Sequence, residues 1–184
     1  MPKPIFLELW VDHNQSRTLD RLTVTFSAKH TCRMVKTAQK QHAMDQFIDP
    51  TREQFVEFQA LPRNGTIHML NLVRFRDRAM YPDGRDISGA EAYRAYARES
   101  GPIFSRVGGR QVWLGRFEHT LIGPTTERWD AVFIAEYPSV AAFVAMVRDP
   151  AYRDAVKHRQ AAVETSRLIR LEPRFAGGNF GEAG

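Results

Sequence analysis

Residues 68–75, HMLNLVRF, carry apolar side chains at both odd and even positions, which marks a β-strand covered on both faces. Over residues 66–75, Ile67, Met69, Val73 and Phe75 share one side with Asn71. Leu70 and Leu72 share the other with His68 and Arg74. Helices can cover one face; the other calls for a second layer such as a partner subunit.

The flanking pattern supplies the remaining elements. Asp49-Pro50 is a helix start, since Asp accepts backbone N–H bonds and Pro lacks only an N–H the first turn does not need. Phe55, Val56 and Phe58 would form its apolar side, and Leu61-Pro62 would end it. After strand one comes a polar loop, residues 76–87, with a turn at Pro82-Asp83-Gly84. Ser88 and Glu91 form a capping box for a helix with Tyr93, Tyr96 and Ala97 on one face. Gly101-Pro102 is expected to kink or restart it, and Gly108-Gly109 to end it.

Strand two is expected from Arg110, with a further extended piece at 119–122. Strand three is expected at 129–137, again apolar on both faces. Pro138-Ser139 caps a short helix, Asp149-Pro150 launches another as far as about residue 163, and strand four spans 166–171. The order β-α-β-β-α-β is the ferredoxin-like pattern of the α+β class, with both helices on one face of an antiparallel sheet. The bare face, being apolar, favours pairing with a second copy in a two-fold homodimer.

Composition adds boundaries. The 184 residues suit one main domain, and 43% apolar with 26% charged content is ordinary for a globular protein. The net charge of +5 is concentrated at one end: residues 1–43 hold seven Lys/Arg against three Asp/Glu. The rest is nearly balanced, so nucleic-acid binding is not expected. The first 43 residues read as a basic leader, either a natural arm or upstream sequence ahead of a start at Met44; the second reading is preferred. The domain then spans 44–175, and a Gly-rich tail, 176–184, is expected to be flexible. One cysteine, Cys32, excludes an intrachain disulfide. No apolar run reaches membrane-spanning length, no clear secretory signal opens the chain, and a cytoplasmic location is expected.

HMLNLVRFRDRAMYPDGRDISGAEAYRAY, GPIFSRVGGR, RWDAVFIAEYPSVAAFVAMVRDPAY and HRQAAVETSRLIRL together resemble the DUF1330 family of small proteins, over residues 48–171. The resemblance implies a dimeric α+β barrel, in which two ferredoxin-like protomers pack their sheets together. Relatives in the wider group include cofactor-independent monooxygenases, haem-degrading enzymes and dehydratases. The family itself has no established catalytic set to carry over.

Candidate chemistry therefore rests on residue types. Asn71, an amide amid apolar neighbours, needs partners and serves either a neighbouring backbone or a ligand. Tyr93 and Tyr96 either line an aromatic-accepting pocket or pack on the sheet. Arg110, just after Gly-Gly, can hold a substrate carboxylate or make an ion pair. His158 is the candidate general base, because imidazole both takes and gives a proton near neutral pH, and Asp130 is its candidate partner. Arg167 leads strand four as a further candidate contact. HExxH, paired CxxC, Gly-rich phosphate loop and GxSxG are all missing, so no metal and no cofactor are expected. The leading expectation is a small-molecule enzyme that oxidises or isomerises a hydrophobic or aromatic substrate. There Asn71 or Arg110 would stabilise oxyanion charge, and His158 would move the proton. A non-catalytic dimer holding a small hydrophobic ligand, and a purely structural dimer, are the alternatives.

Overall fold

The two-faced strand is β1 (Ile67–Phe75), and it lies second from one edge of a four-stranded sheet. The computed structural model describes residues 47–62 and 64–174. The basic leader with Cys32, the proposed start at Met44 and the Gly-rich tail lie outside the described residues. The remaining elements are α1 (Arg52–Ala60), α2 (Gly89–Arg106), β2 (Arg110–Gly115), β3 (Ala131–Tyr137), α3 (Val140–Arg148), α4 (Pro150–Ala162) and β4 (Val163–Leu171). The strand order is β2-β3-β1-β4 and every neighbouring pair is antiparallel. Two split β-α-β units, β1-α2-β2 and β3-α3-α4-β4, interleave to give that order, which is the ferredoxin-like topology.

Capping sets most helix boundaries. Ser88 and Glu91 close the capping box that starts α2. Ser139 caps α3, and Asp149 with Pro150 starts α4. The expectation at Asp49-Pro50 is corrected: Thr51 is the cap of α1, in a reciprocal box with Gln54. Asp49 is drawn away by Arg159 and Gln160 of α4. Val56 is exposed, and only Phe58 of α1 packs on the core, edge-on to Phe143.

Gly101-Pro102 does not restart α2, which runs through it as one helix. Pro102 is exposed, so the carbonyl that loses its amide partner faces water. The extended piece expected at 119–122 joins no strand, and Leu121 and Ile122 are exposed. Strand three starts at Ala131, with Trp129 and Asp130 leading into it. Strand four starts three residues earlier than expected: α4 ends at Ala162 and β4 begins at Val163 with no intervening loop.

One face of the sheet is packed by helices. Ile67, Met69 and Val73 of β1 are buried there, each worth about 1.5–3 kcal/mol of apolar burial. The buried core falls into two clusters. Ile67, Met69, Ile103, Tyr137, Met146 and Val156 belong to one; Val73, Ala92, Ala162 and Val163 form the other. Among the described residues, no helix lies over the opposite face. Register pairs Leu70 with Ile134 and Ile169, and Leu72 with Val132 and Arg167, while Trp113 opposite Ile134 is half exposed.

Gly89 opens α2 against the α4–β4 junction. A Cβ there would stand 2.2 Å from the Arg76 carbonyl oxygen and 2.8 Å from that of Ala162. Both are backbone atoms held in place, since Arg76 donates its N–H to Ala162 O at 2.8 Å and accepts from Gly89 N–H at 3.2 Å. Gly89→Ala is expected to destabilise the fold by about 1–3 kcal/mol in chemical denaturation. Gly101→Ala, where a Cβ meets open space, serves as the tolerated comparison.

Candidate functional site

His158 sits on α4 in the seam against α2, and it is buried at 7% exposure. Its Nε2 lies 3.0 Å from Glu99 Oε1 on α2. Its Nδ1 lies 2.5 Å from the Tyr81 hydroxyl. An ionised carboxylate only accepts hydrogen bonds, so Glu99 places the proton of neutral His158 on Nε2. Nδ1 then offers its lone pair, and Tyr81 donates to it. The tautomer needed for a base at Nδ1 is thus imposed by the far side of the ring.

Tyr81 reaches His158 because the loop before α2 is tied down at several points. Met80 N–H donates to Ala161 O and Ala79 N–H to Ile87 O, both at 2.9 Å. The Tyr81 ring meets His158 edge-on at 5.6 Å, and the Arg85 guanidinium lies 4.4 Å over its outer face. Arg85 is clamped in turn by Asp83, whose carboxyl it holds down to about 2. Burial pushes the Tyr81 phenol up, with Arg85 opposing, so Tyr81 remains a proton donor at neutral pH.

Asp130 is not the partner of His158. Its carboxylate accepts from Phe75 N–H at 2.7 Å and its own N–H donates to Val73 O, which continues the β1–β3 pairing. Sequence reasoning missed Tyr81 and Glu99, and no spacing rule would have found them. They lie 77 and 59 positions from His158 by their numbers, on a loop and on a helix that meet it only in the fold.

The other candidates occupy different places. Asn71 lies on the helix-facing side of the sheet, and its Nδ2 donates to Met69 O at 2.8 Å. Tyr93 stacks at 4.8 Å on Phe75 and 5.4 Å from Tyr96, whose hydroxyl is 2.9 Å from that of Tyr152. Burial raises the Tyr93 and Tyr152 phenols far above their ordinary value, while the Arg159 guanidinium pulls weakly the other way. Arg159 itself donates to Ile48 O at 2.6 Å and to Ser166 Oγ at 3.0 Å, and stands 3.5 Å from Asp49. Burial raises the Asp49 carboxyl, with Arg159 and Gln160 opposing.

Arg110 lies on the uncovered face of the sheet. Its Nε donates to Glu136 Oε1 at 2.5 Å, and His68 is 3.0 Å from the other oxygen. Arg167 stacks over Phe47 and Trp129 at 4.7 and 5.7 Å and donates to Ser166 O at 2.9 Å. Among the described residues, no group of three or more His, Cys, Asp or Glu side chains gathers as a metal site. Among the same residues, no helix is long and apolar enough to cross a membrane. A groove between α1 and α3, lined by Gln59, Val140, Val144 and Arg148, shares no residue with either polar cluster.

The family described as "Domain of unknown function (DUF1330)" matches residues 84–171. None of the curated proteins matches the chain. The chain is 67% identical to methylated RPA0582 protein, at a TM-score of 0.71 over 73% of this chain and 99% of that one. It is 66% identical to RPA0582, a protein of unknown function from Rhodopseudomonas palustris, at 0.69 over 71% and 99%. Likeness to SnoaB, a cofactor-independent oxygenase from Streptomyces nogalater, is lower: 18% identity and a TM-score of 0.40, over 62% and 99%.

Arg110 hydrogen-bonding, with His68 adding to it, holds the Glu136 carboxyl below its ordinary range. A carboxyl depressed by folding stabilises the native state above its unfolded pKa and loses that contribution as pH falls through the folded value. Glu136→Gln is therefore expected to flatten the fall in stability below roughly pH 4.3, measured by denaturation across pH 2–7.

Proposed function

The chain belongs to the DUF1330 family, and from that membership and the geometry around His158 we propose a homodimeric small-molecule enzyme that works by proton transfer without a tightly held cofactor. The observation that carries this reading is His158, buried between the Tyr81 hydroxyl at 2.5 Å and the Glu99 carboxylate at 3.0 Å. In this reading Tyr81 contacts the substrate. The phenol oxygen accepts a proton from an activated C–H or O–H while its own proton passes to His158 Nδ1. Glu99 stabilises the imidazolium that forms. Each proton moves once, and the array resets when His158 returns its proton through Tyr81 to product or water.

The substrate class is small and hydrophobic or aromatic. Isomerisation and cofactor-independent oxygenation of such molecules share a deprotonation as their first step, and this array supplies that step. The homodimer would form through the uncovered sheet face, where Leu70, Leu72, Val132 and Ile134 sit beside the more exposed Trp113 and Ile169.

Small phenols, aromatic ketones and lactones incubated with the protein in D2O are expected to exchange an activated proton, read by NMR, with oxygen uptake followed in parallel. His158→Asn should lower the rate about 10²- to 10⁴-fold, and Tyr81→Phe comparably, with the fold intact by circular dichroism. Undiminished exchange in folded His158→Asn would remove His158 from the chemistry. A panel with no turnover at all would favour a ligand-binding dimer. Separately, Ile134→Lys places like charges across the two-fold contact and should yield a monomer in sedimentation; a persistent dimer would move the interface elsewhere.

A further inference from the structure

Helix α3, VAAFVAMVR, is apolar at every position but its last. A helix with so little polar surface is normally covered all round. Its inner side meets that rule: Val140, Met146 and Val147 are buried, and Phe143 meets Phe58 of α1 and Tyr137 of β3 edge-on. Its outer side does not. Ala141 and Ala145 are exposed there, with Val144 half-buried between them and Arg148 at the end. With Val140 and with Gln59 of α1, these residues line an open groove of about 520 Å³. That volume suits an occupant of several side chains, and nothing among the described residues fills it.

The other wall of the groove is lightly held. α1 has no buried residue, and Val56 and Leu61 are exposed. Phe58 ties it to Phe143, and Arg170 of β4 ties its end. Arg170 Nη1 donates to Phe58 O at 3.5 Å and Nη2 to Pro62 O at 2.5 Å. Phe58 adjoins Gln59 of the groove wall, so β4 finishes beside the groove. Register gives the same answer from the sheet. Leu171 ends β4 opposite His68, and Tyr137 ends β3 opposite Ile67, so β4 leaves the sheet at the end where α3 begins.

From there the chain runs on through Glu172, Pro173 and Arg174 into FAGGNFGEAG, residues 175–184. Ten extended residues span up to roughly 33–36 Å, against roughly 12 Å for the helical rise from Val140 to Arg148. Reach is therefore ample, and the composition matches the groove. Phe175 and Phe180 are the large apolar residues of this segment. Gly177 and Gly178 let its backbone lie close over the two alanines, and Glu182 carries a charge opposite to that of Arg148.

We propose that the groove between α1 and α3 is the docking site of this chain's own residues 175–184, with the Phe180 ring between Gln59 and Val144 and Glu182 beside Arg148. The docked segment covers the outer face of α3 and clamps α1 onto the fold. The groove is separate from the Tyr81–His158–Glu99 array, and its occupant does not depend on that array's being catalytic.

Nuclear Overhauser contacts in the full chain, labelled at Phe rings and at Val and Ala methyls, test the docking. Phe180 ring protons are expected to contact the Val144 and Ala145 methyls. Phe180→Ser should erase those contacts and speed amide exchange across α1 about tenfold, leaving exchange in the sheet unchanged. Arg148→Glu should release the segment likewise, and adding Glu182→Arg should bring the contacts back. A full chain with no contact between residues 175–184 and the groove methyls would overturn the site. Contacts from residues 1–46 in their place would do the same, by making the leader the occupant. Contacts seen only between labelled and unlabelled chains in a mixed sample would overturn it in favour of a second copy.

Discussion

The direct passage of α4 into β4 at Ala162–Val163 is the constraint on which most of this structure depends. Both residues are fully buried, and no loop absorbs error between helix and strand. The carbonyls of Ala161 and Ala162 receive the N–H groups of Met80 and Arg76, so the end of β1 and the loop after it are hung from this junction. Gly89 then lets the start of α2 approach the same backbone more closely than any side chain would permit. Sheet, loop and both long helices meet within a few residues of one another, and an alternative arrangement would have to break several buried backbone hydrogen bonds at once.

The His158 array is a product of that junction. Its three members come from a helix, another helix and a loop, and each is placed by backbone contacts near Ala162. Tyr81 is brought over His158 because Met80 is bound to Ala161, and Glu99 because α2 begins against Ala162. The tyrosines of α2 and α4 meet in the same helical layer, Tyr96 edge-on to Tyr152 and beside Tyr93.

Much of the fold was legible in the residues. The apolar pattern of residues 67–75 marked a strand, and the capping sequences at Ser88, Ser139 and Asp149 placed three helix starts, because caps act over three or four neighbouring residues. The misreadings share one cause. Asp49 looks like a cap until Arg159 and Gln160 of α4 compete for it, Gly101-Pro102 looks like a place to restart a helix that in fact runs on with Pro102 exposed, and the extended piece at 119–122 finds no strand to pair with. In each case a distant contact, or the lack of one, outweighed a local preference.

The candidate site divides along the same line. Local chemistry was enough to make His158 a candidate base and to mark Asn71 and Tyr93 as polar groups in apolar surroundings. It also showed that His68 and Asn71 lie on opposite faces, since strand residues alternate by geometry alone. Partnership was another matter. Asp130 was the plausible carboxylate for His158 by residue type, yet it completes the β1–β3 ladder, and Glu99 takes the role from the facing helix. By itself the sequence determined the alternation, the caps and the order of elements, all of which act over a few residues. Only the tertiary structure decided which side chains meet across 59 or 77 positions, because those distances are closed by packing at Ala162–Val163 and not by any local preference of the chain.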